Sequence, residues 1–167
     1  MKKTGIFYGS STGTCEELAN QIAEKLGVSS TDVHSVDKMT ADKIKEYEVL
    51  VLGTSTWGDG ELQDDWYGFL EDLKKRDLRG KQVALFGCGD SGCYPDTFCD
   101  AIGLLYEGLQ GCGCTFIGSF EPQGYAATSS LVCSEGRFLG LAIDESAPEK
   151  TDARVAAWCR QLVSERQ

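Results

Sequence analysis

The sequence lacks the features of a membrane or exported protein. Its longest apolar runs extend over about six residues, whereas a membrane-spanning helix needs about 20. The first residues, MKKTGIFYG, have neither the long apolar stretch nor the small-residue cleavage site of a signal peptide. We therefore expect a soluble, cytoplasmic protein.

Basic residues are scarce. The chain has 16 lysines and arginines against 26 aspartates and glutamates, a formal net charge of −10. A nucleic-acid-binding protein needs a basic face, and an anionic membrane would repel so acidic a chain. We thus expect no nucleic-acid or membrane partner. The acidic charge serves either solubility or docking to a basic protein, and both interpretations stay open at this point.

Metal-ligand patterns are also missing. The chain has one histidine, His34, and none of its eight cysteines forms a Cys-x-x-Cys pair, so the usual zinc spacings are absent. Without an export signal, a disulfide framework is not expected either. Iron–sulfur ligation by Cys88, Cys93, Cys99 and a distant fourth cysteine is a weaker possibility, because these residues form no compact ligand run. We expect most of the cysteines to be small buried apolar residues.

Proline is rare as well, and short apolar runs alternate with helical patterns along the whole chain. The runs at 6–8, 49–52 and 83–86 are typical of parallel strands that are buried on both faces. Between them, apolar residues recur every three or four positions, which predicts helices. The pattern predicts five strands and five helices in an α/β arrangement, with an open parallel sheet covered on both faces.

The last strand of this pattern is interrupted. Thr115-Phe116-Ile117 begins a strand and residues 138–143 resume it, with a polar excursion at about 119–136 between the two parts. Because neither a linker nor an internal repeat is visible, we expect a single domain over residues 1–167.

In an open parallel sheet, ligands bind beyond the carboxyl ends of the strands, where the strand order reverses. The loop after the first strand, residues 9–15, is rich in serine, threonine and glycine and leads directly into a helix. The backbone N–H groups at a helix N-terminus favour an anion. The sequence therefore predicts a phosphate site here, although the loop has no Gly-Lys-Ser/Thr of a Walker motif.

The loops after the third and fourth strands each carry an aromatic residue among small ones. Trp57 follows the third strand, and Tyr94 follows the fourth. Residues 87–92 spell Gly-x-Gly-x-x-Gly, but they follow a late strand and Pro95 delays the next helix, which argues against a dinucleotide fingerprint. Two aromatic side chains beside a phosphate site predict a flat, aromatic, phosphorylated cofactor.

At this point the sequence resembles the long-chain flavodoxins, and nearly the whole chain fits. The segments that carry the resemblance are Phe7-Tyr8-Gly9-Ser10-Ser11-Thr12-Gly13, Thr56-Trp57-Gly58, Gly60-Glu61-Leu62-Gln63, Phe86-Gly87-Cys88-Gly89-Asp90, Tyr94, Gly124-Tyr125 and Gly140-Leu141-Ala142-Ile143-Asp144. The resemblance implies a flavodoxin-like fold with strand order 2-1-3-4-5 and an insertion in the fifth strand. It also implies non-covalent FMN and one-electron transfer without substrate turnover.

The resemblance further implies which residues contact FMN. The phosphate would be held by Ser10, Ser11, Thr12, Gly13 and Thr14. Thr56 would meet the ribityl chain, and Trp57 and Tyr94 would cover the two faces of the flavin ring. The edges of the ring and the remaining contacts would involve Gly58, Asp59, Gly60, Cys88, Gly89 and Asp90. Cys15 departs from the family pattern, which has a threonine at the end of the phosphate loop.

The implied function is that of a low-potential electron carrier, expected to be a monomer. Acidic residues without a basic residue among them occupy positions 59–72, which favours basic-surfaced redox partners such as flavin reductases, iron–sulfur oxidoreductases or nitrogenase-type acceptors. The alternative is an FMN-dependent quinone or NAD(P)H reductase of the same fold. A signalling receiver domain is disfavoured, because Gly9-Ser10 and Gly53-Thr54 occupy the positions where such a domain needs aspartates.

Overall fold

The structure, a computed structural model, describes residues 3–10, 12–57 and 60–166. Its strands are β1 (Thr4–Gly9), β2 (Val33–Ser35), β3 (Val49–Trp57), β4 (Glu61–Leu62), β5 (Gln82–Gly89), β6 (Thr115–Ile117), β7 (Cys133–Ser134), β8 (Arg137–Phe138) and β9 (Leu141–Asp144). Its α-helices are α1 (Thr14–Leu26), α2 (Asp65–Leu73), α3 (Asp100–Leu109) and α4 (Thr151–Glu165). None of these helices has the length and apolar character of a membrane-spanning helix.

The main sheet is parallel, with the order β2-β1-β3-β5-β6. Its central strands are the apolar runs of the sequence, in a register that sets Ile6 beside Val51 and Val51 beside Ala84. This order, with β5 and β6 as the fourth and fifth parallel strands, confirms the predicted α/β fold class and the order 2-1-3-4-5. The short β4 is an addition, and it pairs antiparallel with the end of β3.

The fifth strand is built from two separate pieces of chain. Ile117 at the end of β6 pairs with Ala84, and Leu141 at the start of β9 pairs with Phe86 farther along the same strand β5. Residues 118–140 leave the sheet between the two pieces and contain the hairpin of β7 and β8. The predicted excursion at 119–136 lies within this segment. The sequence predicted that the strand resumes at residue 138. This start is too early, because Phe138 pairs with Cys133 in the hairpin and is buried there.

Successive residues of each central strand pack in two different apolar cores, because their side chains point to opposite faces of the sheet. Ile6 packs in one apolar cluster with Ile22 of α1 and Trp158 of α4. Phe7 packs in the other cluster with Trp66 of α2 and Leu105 of α3. The sheet is therefore covered by helices on both faces, as predicted.

One predicted α-helix is absent from the described residues. The connection from β2 to β3 consists of two 3-10 segments, Val36–Lys38 and Ala41–Glu46. In the longer segment only Ala41 and Ile44 are buried. Two apolar positions cover one turn of chain, which is too little to hold a full α-helix against the sheet.

Candidate functional site

A cleft of about 260 Å³ lies at the carboxyl ends of the parallel strands. The described residues that line it come from the ends of β3 and β5, from the loops after β1, β5 and β9 and from the segment before α3: Thr12, Ser55, Thr56, Trp57, Cys88, Gly89, Asp90, Tyr94, Thr97, Phe98, Cys99 and Glu145. The fold thus brings together the three loops that the sequence indicated. The fold also brings two further segments to the cleft, residues 97–99 and Glu145.

The loop after β1 forms the entry to α1. Gly13 precedes the helix with a φ of 94°, a left-handed conformation that favours glycine, and its N–H donates to Ser10 Oγ at 3.0 Å. The first N–H groups of a helix have no partner within the helix, so the start of α1 is suited to an anion. Thr12 of this loop lines the cleft. Ser11 lies outside the described residues.

The Cys15 side chain turns away from this anion site. It is 1% exposed and packs in the core with Ile6 and Leu18. Burial raises the pKa of the thiol well above its usual value, and the neighbouring Cys88 and Glu145 raise it further. Cys15 can therefore contribute to an anion site only through its backbone N–H at the start of α1.

The loop after β3 is a tight hairpin. Trp57 at its start pairs with Glu61 of β4, and the N–H of Gly60 donates to the carbonyl of Trp57 at 3.1 Å. The indole N–H of Trp57 donates to Ser55 Oγ at 2.9 Å, which fixes a side chain that is 41% exposed. Thr56 Oγ1 accepts from the N–H of Ala101 at 3.3 Å, and this bond joins the hairpin to α3. Gly58 and Asp59 lie outside the described residues.

Gly60 meets two demands that exclude other residues. Its φ is +99°, and an added Cβ would lie 2.6 Å from Oδ2 of Asp100. Asp100 is itself buried and accepts from the N–H of Leu131 at 2.8 Å. The hairpin therefore closes directly against the first residue of α3.

The loop after β5 is shaped by a carboxylate of its own. Asp90 Oδ1 accepts from the N–H groups of Gly92 at 2.9 Å and Cys93 at 3.1 Å. The carbonyl of Asp90 accepts from the N–H of Tyr94 at 2.8 Å. The loop thereby holds the Tyr94 ring beside the cleft, where it is 54% exposed.

Two buried thiols, Cys88 and Cys99, line the cleft. Burial raises the pKa of both thiols far above the usual value, so they are neutral and poor nucleophiles. Cys93 is exposed instead, and its hydrogen bond to Asp90 raises its pKa. Within the described ranges no group of three potential ligands is placed to hold a metal ion. The arrangement gives no support to the iron–sulfur interpretation.

The charged side chains among the described residues that line the cleft are acidic. Among the described residues that line it there is no lysine or arginine, whereas Asp90 and Glu145 are present. An anionic group at the start of α1 would have to be held by backbone N–H groups and hydroxyls rather than by side-chain cations.

Several lining residues were missed from the sequence, namely Ser55, Thr97, Phe98, Cys99 and Glu145. Ser55 could have been found, because it directly precedes Thr56 in the predicted loop after the third strand. The others reach the cleft because α3 begins beside β4 and because β9 ends beside Gly89. No local motif marks those positions.

The whole chain matches known proteins. The flavodoxin family model matches residues 6–158. Flavodoxin 1 of Escherichia coli is 41% identical over 167 residues, which cover 99% of this chain and 95% of that protein. A flavodoxin of Synechocystis is 40% identical, with 97% of this chain and 96% of that protein covered.

Solved structures agree with the sequence matches. The crystal structure of Fusobacterium nucleatum flavodoxin bound to flavin mononucleotide has a TM-score of 0.89 and 30% identity, with 99% of each chain covered. Its K13G mutant, also bound to flavin mononucleotide, has a TM-score of 0.90 and 31% identity, with 99% of this chain and 97% of that chain covered. The fold, the cleft at the carboxyl ends of the strands and these matches lead to one conclusion: the chain belongs to the flavodoxin family.

Proposed function

We propose that the cleft binds one FMN without a covalent bond and that the protein carries single electrons between redox enzymes. The observation that supports this most directly is the pair of exposed aromatic side chains, Trp57 and Tyr94, on two separate loops beside a helix N-terminus. A flat ring needs apolar faces, and a phosphate needs N–H donors. The cleft offers both within one site.

The described residues fit FMN. Ser10, Thr12, Gly13 and Thr14 surround the start of α1, where the loop supplies hydroxyls and N–H groups for a phosphate. Cys88 and Cys99 are neutral thiols, so they place no charge against a flavin ring. When bound, FMN supplies the one-electron redox chemistry.

We assign the cofactor contacts as the sequence suggested. The residues proposed to contact FMN are Ser10, Ser11, Thr12, Gly13, Thr14, Cys15, Thr56, Trp57, Gly58, Asp59, Gly60, Cys88, Gly89, Asp90 and Tyr94. To these we add Ser55, Thr97, Phe98, Cys99 and Glu145, which line the same cleft. We also propose that residues 1–167 form one domain, a view supported by the family match over 6–158.

The chain itself favours a low reduction potential. Aromatic faces carry a negative quadrupole, so Trp57 and Tyr94 disfavour an electron-rich ring between them. Asp90 and Glu145 line the cleft and act in the same direction, because their charge opposes added negative charge on the ring. The protein's residues thus bind and cover the ring while opposing its reduction.

The partners are proposed to be redox proteins with basic surfaces. Glu61 and Asp64 are exposed beside the Trp57 hairpin, whereas Glu71 and Asp72 are bound by Lys74 and Arg76. Within residues 60–72, the exposed carboxylates outside the described salt bridges are therefore the ones beside the Trp57 hairpin, where they can steer a basic partner. Electron-transfer rates should fall steeply as ionic strength rises. Rates that stay flat would contradict this choice of partner.

The test of the function is the purified protein itself. We expect a yellow monomer that releases one FMN per chain in acid and accepts electrons from dithionite, with negligible steady-state oxidation of NAD(P)H. A colourless protein that ignores FMN, or FAD in the acid extract, would refute the proposal. Steady NAD(P)H turnover would instead indicate a flavin reductase.

A further inference from the structure

Asp144, the last residue of β9, is a buried carboxylate that does not line the cleft. It is 3% exposed. Its Oδ1 accepts from the N–H of Ser91 at 3.1 Å, from the N–H of Ser146 at 3.0 Å and from Ser146 Oγ at 2.7 Å. Its Oδ2 accepts from Ser91 Oγ. Both carboxylate oxygens therefore have donors, as a buried charge requires.

These bonds keep Asp144 ionised. Burial alone would raise its pKa, but the hydrogen bonds from Ser91 and Ser146 outweigh burial and lower the pKa below the usual value. At neutral pH the residue is a permanent negative charge inside the protein.

This charge lies directly behind one wall of the cleft. Asp144 pairs with Gly89 in the sheet, and the N–H of the next residue, Glu145, donates to the carbonyl of Gly89 at 2.8 Å. Gly89 and Glu145 both line the cleft. The register of β9 against β5 therefore sets the distance between the carboxylate and the cleft.

Asp144 also anchors the loop that carries Tyr94. Asp90 organises residues 90–94 internally, but that turn would leave the loop free to swing as a unit. Ser91 gives both its N–H and its hydroxyl to Asp144, and this joins the loop to the carboxyl end of β9, beside Gly89. Residues 91 and 144 are 53 positions apart, and no sequence motif links them.

We propose that Asp144 is a positioning residue of the flavin site, where it holds the Tyr94 loop through Ser91 and places a buried negative charge behind the cleft. This inference rests on the FMN binding proposed above. Two consequences can be separated. The loop anchor acts on affinity for the flavin ring, and the charge acts on the preference for oxidised over reduced flavin.

The matched pair of variants is Ser91→Ala and Ser146→Ala. Each removes one hydroxyl donor from the same carboxylate, but only Ser91 belongs to the Tyr94 loop. The probe is riboflavin, which lacks the phosphate and therefore reports on the contacts of the ring and the ribityl chain. We expect Ser91→Ala to weaken riboflavin binding about tenfold, the effect of one buried donor lost, and Ser146→Ala to change it less than about twofold.

The third variant, Asp144→Asn, removes the charge and keeps the shape. The amide oxygen can accept from the two N–H groups, and the amide nitrogen can donate to Ser91 Oγ. We expect riboflavin affinity within about twofold of the wild type. The ratio of FMN affinities, oxidised over dithionite-reduced, should fall about threefold or more, and equally at low and high salt because a buried charge is poorly screened.

Thermal unfolding of the apoproteins shows whether each variant folds. If Asp144→Asn does not fold, Ser91→Ala still tests the anchoring role. Equal riboflavin affinities for Ser91→Ala and Ser146→Ala would overturn the anchoring role. An unchanged oxidised-to-reduced ratio in folded Asp144→Asn, or a change that vanishes at high salt, would overturn the role of the buried charge. Failure of the wild-type protein to bind FMN would refute the proposed function instead.

Discussion

Trp57 and Tyr94 line the same cleft, but their loops are held in different ways. Trp57 ends strand β3 and is fixed by main-chain pairing with Glu61 and by the turn that closes at Gly60. The Tyr94 loop contains no strand pairing of its own. One main-chain bond joins Tyr94 to the carbonyl of Asp90, and further bonds run to the carboxylates of Asp90 and Asp144. The first loop is therefore held mainly by strand pairing, and the second mainly by two side-chain carboxylates.

This difference decides which substitutions each loop tolerates. Main-chain hydrogen bonds are available to any residue, so the Trp57 hairpin depends on backbone conformation and is sensitive at its glycine. Side-chain acceptors are lost when one residue changes, so the Tyr94 loop depends on the chemistry of particular carboxylates. Backbone strain should disrupt the first loop, and loss of charge should alter the second.

The largest effect is expected for Gly60→Ala. A residue with a Cβ is strained at a φ of +99°, by about 1–2 kcal/mol, and that Cβ would also collide with Asp100. We expect the free energy of unfolding to fall by more than about 2 kcal/mol and FMN affinity to fall with it, measured by urea denaturation and flavin titration.

The control for this variant is Gly27→Ala. Gly27 also has a positive φ, +71°, but nothing lies within 4 Å of an added Cβ. Gly27→Ala should therefore lose only the conformational part of the stability, about 1–2 kcal/mol, and keep its FMN affinity. Equal losses for the two variants would show that the contact with Asp100 plays no part in the hairpin.

A smaller effect is expected for Tyr94→Ala, which keeps the loop but removes its ring. Stacking between aromatic groups contributes about 0.5–1.5 kcal/mol beyond the area it buries. We expect the Kd for FMN to rise about tenfold in fluorescence titration. Tyr67→Ala is the matched control, since Tyr67 is also exposed, at 47%, but does not line the cleft. Comparable losses in both variants would argue against stacking by Tyr94.

Asp90→Asn tests the role of the Asp90 carboxylate within the Tyr94 loop. The amide oxygen can still accept from Gly92 and Cys93, but the carboxylate whose hydrogen bond and charge raise the pKa of the Cys93 thiol is gone. We expect Cys93 to react severalfold faster with iodoacetamide at pH 8, read by peptide mass spectrometry. Cys15, Cys88 and Cys99 are buried and should stay protected in both proteins. An unchanged rate at Cys93 would mean that Asp90 does not control this thiol.

The smallest effect concerns His34, which lies on β2 and does not line the cleft. Burial, with the nearby Lys43, lowers its pKa below 6.5, so the folded protein binds a proton less readily than the unfolded chain. Its contribution to stability is complete above pH 6.5 and is lost as the pH falls toward the folded pKa.

Between pH 7.5 and 5.5 the wild type should therefore lose stability relative to His34→Gln, because only the wild type carries the buried imidazole. Urea denaturation at several pH values measures this difference. The pH dependence of FMN affinity should be the same in the wild type and in His34→Gln. A stability difference of the opposite sign would show that the folded state favours the charged imidazole.

The alternation of apolar runs and helical periods was enough to predict the parallel sheet and its helices. The runs that became β1, β3 and β5 are buried on both faces, and such strands leave a strong local signal. The predicted pattern of five helices also required one between the second and third strands, but the chain there forms short 3-10 segments. The loops of the site were found because small polar and aromatic residues follow predicted strand ends directly.

The fold class, the position of the cleft and the two aromatic residues beside it could be predicted from the sequence, because each depends on residues that are neighbours along the chain. Three contacts became visible only in the folded molecule: Cys15 packs in the core, Gly60 lies against Asp100, and Asp144 accepts hydrogen bonds from Ser91. These contacts join residues from distant strands and helices. Their geometry depends on strand register and helix placement, which the packing of the whole molecule sets and no local pattern encodes.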